Sequence, residues 1–138
     1  MNTEKTIFER IIDREIPATI VYEDDFTLAF LDIAPVNIGH TVVIPKKHFK
    51  NLYEIDTETL HHIADTVQKV AIALKKALNA DGINIEQNND APAGQIIFHT
   101  HTHVVPRFIG DGFTHWKGAR GYSEGEANET AEKIKKLS

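Results

Sequence analysis

The stretch that most constrains this chain runs from Gly94 to Arg107, Gly-Gln-Ile-Ile-Phe-His-Thr-His-Thr-His-Val-Val-Pro-Arg, with His99, His101 and His103 at alternate positions. Side chains along a β-strand point to opposite faces in turn. The spacing therefore predicts a strand with all three imidazoles on one face, their Cα atoms roughly 6.5–7 Å apart. Thr100 and Thr102 would face the other way, and both are β-branched as strands prefer. Three imidazoles on one face are hard to explain as packing, so the rest of the chain has to say what they face.

The bulk properties narrow the answer. A chain of 138 residues, 41% hydrophobic and 25% charged, reads as one globular domain over 1–138. A formal charge of −5 argues against nucleic acid held on a broad basic face. With no cysteine, neither a disulfide framework nor a thiolate metal site is available. The amino-terminal residues read as neither signal nor transit peptide, and no apolar run approaches the ~20 residues that span a bilayer. The expectation is a soluble, cytoplasmic protein without a membrane partner.

Taken in order, Thr6-x-x-Glu9 is a capping box ahead of a short apolar helix, Ile7, Phe8, Ile11 and Ile12, that ends before Pro17. Thr19–Tyr22 and Phe26–Leu31 read as antiparallel strands joined by a turn at Glu23-Asp24-Asp25. A Pro- and Gly-punctuated connection, Asp32–Gly39, leads into a third strand, His40–Pro45. The Lys46-Lys47-His48 cluster after it has solvation as its plain explanation. Asp56 caps the longest helix, whose stripe runs from Leu60 to Leu78, with His61 and His62 off the stripe. Gly82–Glu86 is a fourth strand, 88–94 a loop and the histidine segment a fifth strand ending at Pro106. Residues 110–125 form a glycine-rich tail with the only tryptophan, Trp116, and Glu126–Lys136 is compatible with a helix. The pattern is an α+β domain of about five antiparallel strands and two main helices.

Clustered imidazoles serve three chemistries. They can bind a metal, act as acid, base or nucleophile with a pKa of about 6.5, or hold an anion through their N–H groups. The amides of Asn88 and Gln95 suit a phosphate better than a metal. Asp32 suits a pair of ribose hydroxyls. Ile7, Phe8, Phe30 and Ile33 can build a slot for a flat base, although each also reads as core.

Together these residues resemble the histidine triad (HIT) nucleotide-binding family, whose signature alternates histidine with apolar residues and stands here as His99-Thr-His101-Thr-His103-Val-Val. Ile7-Phe-x-x-Ile-Ile, Ile16-Pro-Ala, Glu23-Asp-Asp, Leu28–Ile33, Gly39–His48 and Gly94-Gln95 match further blocks in order, across a core of about 5–110. The tail, 111–138, is similar to bacterial members of the Hint-like branch. The resemblance implies a five-stranded antiparallel sheet with helices, and a homodimer whose two sheets join. It implies hydrolysis or transfer at the α-phosphate of a purine nucleotide, such as a nucleoside phosphoramidate, with dinucleoside polyphosphates as the rival substrates. Carried over, His101 is the nucleophile that forms a nucleotidyl-histidine, and His103 bonds the phosphate and leaving group. His99 and His40 orient the nucleophile. Asp32 holds the ribose, Asn88 and Gln95 lie near the phosphates, and Ile7, Phe8, Phe30 and Ile33 surround the base.

Two positions depart from the pattern. Zinc-binding relatives have a Cys-x-x-Cys pair where Thr6 and Glu9 stand, completed by histidines that match His48 and His99. No structural zinc and no cofactor are therefore expected. Hint-like enzymes often have a serine after Gly-Gln, where Ile96 stands and cannot donate a hydrogen bond. Outside this family, the readings are a metal-dependent hydrolase with His99, His101 and His103 as ligands, or a nucleotide-binding regulatory module. Trp116 is expected to reach toward a site, its own or a partner's.

Overall fold

The computed structural model describes residues 4–138; Met1–Thr3, the start of the stretch read as carrying no leader, lie outside them. Thr6 opens helix α1 (Ile7–Ile12) with the expected box. Its hydroxyl accepts the Glu9 N–H at 3.1 Å, and the Glu9 carboxylate accepts the Thr6 N–H at 3.0 Å. Two amides that a helix start leaves unpaired are thereby satisfied. Strands β1 (Ile20–Glu23) and β2 (Thr27–Leu31) follow. The turn between them is held by Asp24, whose Oδ1 accepts the N–H groups of Phe26 and Thr27 at 2.8 Å each.

After β3 (Thr41–Pro45), α2 (Thr57–Leu78) starts on the Asp56 carboxylate, which accepts the Thr59 N–H at 3.1 Å, and stops at Asn79 in the left-handed conformation. Then come β4 (Gly82–Glu86), a 3₁₀ turn at Ala91–Ala93, β5 (Thr102–Arg107) and α3 (Glu126–Leu137). The five strands form one antiparallel sheet in the order β1-β2-β3-β5-β4.

The central strands β2 and β3 are apolar without alternation because both of their faces are covered. On one face Leu28, Phe30, Val42 and Ile44 pack with Phe8 and Ile11 of α1. On the other, Ala29, Val43 and Val104 pack with Ile63, Val70 and Leu74 of α2. Polar side chains enter this second layer in pairs. Thr66 of α2 is fully buried, its hydroxyl 2.8 Å from that of Thr27. His62, expected in solvent, instead stacks on Phe26 with ring centroids 3.8 Å apart.

Strand β5 is shorter than the histidine stretch suggests, since it begins at Thr102. Its pairing with β3 ends at Val43↔Thr102. Two residues further back the ladder would set Thr100 against Pro45, which has no N–H to give. Thr100 instead donates its N–H to the Phe49 carbonyl at 2.8 Å. At the other end the strand runs past the expected stop, with Pro106 inside it opposite Ile83. Pro106 lies beyond the last residue paired with β3, and its carbonyl accepts from the Asn37 side chain at 2.8 Å.

Residues 126–137 do form a helix, yet α3 has no buried residue. No helix among the described residues is long and apolar enough to cross a membrane.

Gly39 joins the Asp32–Gly39 connection to the strand that follows His40. Its φ of +100° belongs to the left-handed region, and a Cβ there would press on Leu78 Cδ1 and come within 3.1 Å of Leu74 Cδ2. Gly39→Ala should lose roughly 1–3 kcal/mol of stability, read from urea midpoints, because backbone strain and overpacking act together.

Candidate active site

His103 is opposite Val42 in the sheet, so it projects toward the α1 side, where a cavity of about 440 Å³ opens. Ile7 and Phe8 of α1, Phe30 at the end of β2, and Asp32 and Ile33 beyond it line this cavity with Asn88, Ile96, His101 and His103. Thr100 and Thr102 are buried on the opposite side, near Ile55 and Ile63. Alternation thus persists through the lead-in to β5, and the threonines face away from the histidines.

Backbone partners settle which nitrogen of each ring carries its proton. His101 Nδ1 lies 2.8 Å from the His99 carbonyl. A carbonyl only accepts, so Nδ1 holds the proton and Nε2 keeps a lone pair. His99 Nε2 donates to the Pro45 carbonyl at 2.9 Å, which leaves Nδ1 unprotonated with the Thr6 hydroxyl 3.5 Å away. His40 has the reverse arrangement: its Nδ1 accepts the Val36 N–H at 3.1 Å, so its proton is on Nε2. That proton points at His103 Nδ1, 2.9 Å away, which forces the His103 proton onto Nε2. One backbone amide therefore sets two tautomers in series.

Burial holds all four rings neutral. It pushes His40, His101 and His103 below the usual imidazole range, and pushes His99 down to about 4 against the opposing effect of its bond to Pro45. For His40, the charge of Asp32, with Oδ2 at 3.7 Å from Nε2, works against that burial. Phe8 packs edge-on against His101 at 5.0 Å and His99 at 5.9 Å between ring centroids, so it walls the triad as well as the cavity.

Most of the expected residues come together. His101, His103, Asp32, Asn88, Ile7, Phe8, Phe30 and Ile33 reach the cavity, while His99 and His40 stand behind it as buried supports. Gln95, expected near the phosphates, is not part of the cavity wall. It is 3% exposed; its amide nitrogen donates to the carbonyls of Lys50 and Ile97, and its oxygen accepts the Asp90 N–H at 2.8 Å. It braces the 88–97 segment. Ile33 is 94% exposed and Ile96 is 86% exposed, so both stand at the cavity rim as an apolar lip. Trp116, 92% exposed, is not part of the cavity wall. Val36 and Pro45 went unnoticed in sequence because they act through the main chain, which no side-chain type signals.

The triad does not converge on one ion. Among the described residues, His99 groups with Glu9 and His48, and His103 groups with Asp32 and His40, the ligand atoms within each group lying within 4.8 Å of one another. His101 belongs to neither group. The Glu9, His48 and His99 group does not fit a zinc site built on a Cys-x-x-Cys pair. Neither thiolate is present, the Glu9 carboxylate is tied to the Thr6 N–H, and the Thr6 hydroxyl stands in front of His99 Nδ1. His48 Nε2 donates to the Phe98 carbonyl at 2.7 Å.

A row of partly to fully buried imidazoles beside an apolar slot and the Asp32 carboxylate defines a class of small α+β domain that presents its polar groups from one sheet face. The family model for the HIT domain matches residues 13–110, and the chain belongs to that family. It is 44% identical over 135 residues to an uncharacterized HIT-like protein of Borreliella burgdorferi, covering 96% of this chain and 92% of the relative. It is 41% identical over 101 residues to the adenylylsulfatase HINT3 of Arabidopsis thaliana, covering 73% of this chain and 51% of that longer protein. A HIT family protein from Bacillus anthracis superposes with a TM-score of 0.91 at 38% identity, covering 99% of both chains. The histidine triad nucleotide-binding protein of Candida albicans does so at 0.86 and 32% identity, covering 96% of both.

The histidine pKa values give stability a pH dependence with a definite sign. Above about 6.5 these rings are neutral whether the chain is folded or not. Between 6.5 and about 4 the unfolded chain binds the His99 proton and the folded chain does not, so stability falls as pH falls. His99 alone accounts for roughly 3 kcal/mol across that window. Urea midpoints should drop steadily from pH 6.5 to 4, and the drop should be shallower in His99→Gln, whose amide can still donate to Pro45.

Proposed function

We propose that this chain is a nucleotide hydrolase or transferase acting at the α-phosphate of purine nucleoside phosphoramidates or related nucleotides, through a covalent intermediate on His101. The observation that carries this reading is the His101 tautomer: with Nδ1–H held by the His99 carbonyl, the lone pair of Nε2 is free in a cavity of about 440 Å³. Kinship to the Arabidopsis adenylylsulfatase and the Candida nucleotide-binding protein supports a nucleotide as the ligand. Ile7, Phe8, Phe30 and Ile33 would hold the base, Asp32 the ribose, and Asn88 with the His103 Nε2–H the phosphate oxygens.

In the first step His101 Nε2 bonds to phosphorus, and the bond to the leaving group breaks with its electron pair on that group. An amine leaving group takes up one proton as it goes. Ile96 donates none; that proton comes from solvent at the open mouth, with the His103 Nε2–H bonded to the phosphate and the departing group. Water then attacks phosphorus, the P–N bond to His101 breaks, and the nucleoside monophosphate leaves with release of one proton. The His103 Nε2–H and the Asn88 amide favour the charge on the non-bridging oxygens.

The chain acts without a cofactor in this reading. The capping box, with the Nε2–H bonds of His48 and His99 to carbonyls, holds the corner that zinc holds in some relatives. A homodimer is part of the proposal as well. β4 is an edge strand with half-exposed Ile85 on it, and an unpaired edge is available to join a second sheet.

On adenosine phosphoramidate, His101→Ala should lose at least about 10³-fold in turnover, and wild type quenched under alkaline denaturing conditions should carry one nucleotidyl group by mass spectrometry. Wild-type turnover in His101→Ala would rule out the mechanism. Faster cleavage of diadenosine polyphosphate than of the phosphoramidate would make the former the substrate class. Exhaustive chelation should leave both turnover and thermal midpoint unchanged; a lowered midpoint would show that the Glu9 corner does hold a metal.

A further inference from the structure

The connection from Ile33 to Gly39 delivers the amide that sets the His40 and His103 tautomers, yet it has little packing to hold it. Ile33, Val36 and Ile38 are all exposed. What fixes it is polar. Asp32 donates its N–H to the His40 carbonyl at 2.9 Å and His40 donates its N–H to the Asn37 carbonyl at 3.0 Å, which closes the loop on itself. Asn37 then ties the loop to the sheet with both hydrogens of its amide, one to the Pro106 carbonyl and one to Asp111 Oδ2, each at 2.8 Å.

Asp111 is a well-anchored partner. Its carboxylate also accepts from Arg107 Nε and a terminal Arg107 nitrogen at 2.9 and 2.8 Å, and from the N–H groups of Phe108 and Phe113 at 2.9 and 3.0 Å. These bonds, led by Arg107, hold the carboxyl far below the usual carboxylate range, so it stays charged wherever the protein is folded. Arg107 in turn lies over the Phe113 ring, 4.8 Å from its centroid. The turn that ends β5 and begins the tail is thus densely bonded, and among the described residues Asn37 is its side-chain bond to the loop in front of the site.

We propose that Asn37 and Asp111 are positioning residues, a clamp that holds the Val36 amide on His40 and thereby keeps the His103 proton on the nitrogen that faces the cavity. Neither residue touches the cavity; they act through His40. The catalytic part of this inference rests on the reading of the site as a nucleotide hydrolase, while the tautomer part does not.

The test is histidine tautomer state by long-range ¹H–¹⁵N NMR on the full chain without substrate, in wild type, Asn37→Ala and Asp111→Asn. Wild type should show His40 and His103 with protons on Nε2. Both variants should show mixed tautomers at those two rings, with His101 and its carbonyl bond unchanged. In parallel, kcat should fall by up to about 100-fold, because a slightly misplaced donor costs that much. Asn37→Gln should recover part of the loss, since its amide can still reach one of the two acceptors. Asp111→Asn keeps the shape of the side chain and serves if Asn37→Ala fails to fold. Unchanged tautomers at His40 and His103 in either folded variant would overturn the clamp. Wild type that turns over no nucleotide, yet shows the tautomer change in the variants, would sink the hydrolase reading and leave the clamp standing.

Discussion

The hydrogen bond from His101 Nδ1 to the His99 carbonyl is the interaction on which the site depends. An imidazole free in solution exchanges its proton between two nitrogens, and only one arrangement leaves a lone pair at Nε2. Here the acceptor is a main-chain carbonyl two residues earlier, at 2.8 Å, so the chain path itself selects the tautomer. The extended lead-in that supplies this carbonyl is held in turn by Thr100 on Phe49 and His99 on Pro45, both in or just beyond β3. The His101 ring is oriented by strand termination as much as by strand formation.

Much of the fold was legible because it is written in local chemistry. The Thr6–Glu9 box, the Asp56 cap and the Asp24 turn are short-range arrangements whose residue types name their own geometry. The triad spacing and the likeness it carries pointed to a set of residues of which eight line one cavity. The partners of Gln95 were not legible for a physical reason. An amide can serve a ligand or the backbone, and its sequence position does not say which; three main-chain groups bond this one. The start of β5 escaped notice for a similar reason, since it is set by Pro45, distant in sequence and lacking an N–H.

The site also shows how one sheet serves two chemistries. On the α2 face the buried polar groups are threonines satisfied within the protein, Thr27 by Thr66, Thr102 by Gln87 and Thr41 by the Gly39 carbonyl. On the α1 face the polar groups are rings, of which His101 keeps a lone pair and His103 a proton in reserve, and the layer opens into the cavity. The difference lies in the length of the cover. α2 has 22 residues and spans the sheet, whereas α1 has 6 and leaves the far end of the strands uncovered.

Topology decides when such a site comes into being. His40 precedes β3 and His103 lies on β5, and their bond spans 63 residues. The pairing of β3 with β5 joins the two halves of the chain, with the whole of α2 and β4 in between. Closing a loop that long is among the slower steps available to a small domain. The hairpin of β1 and β2 and the helix α2 can form early without creating any part of the ring-to-ring contact. A chain in which β3 and β5 have not yet paired therefore has the histidines but not the His40–His103 contact.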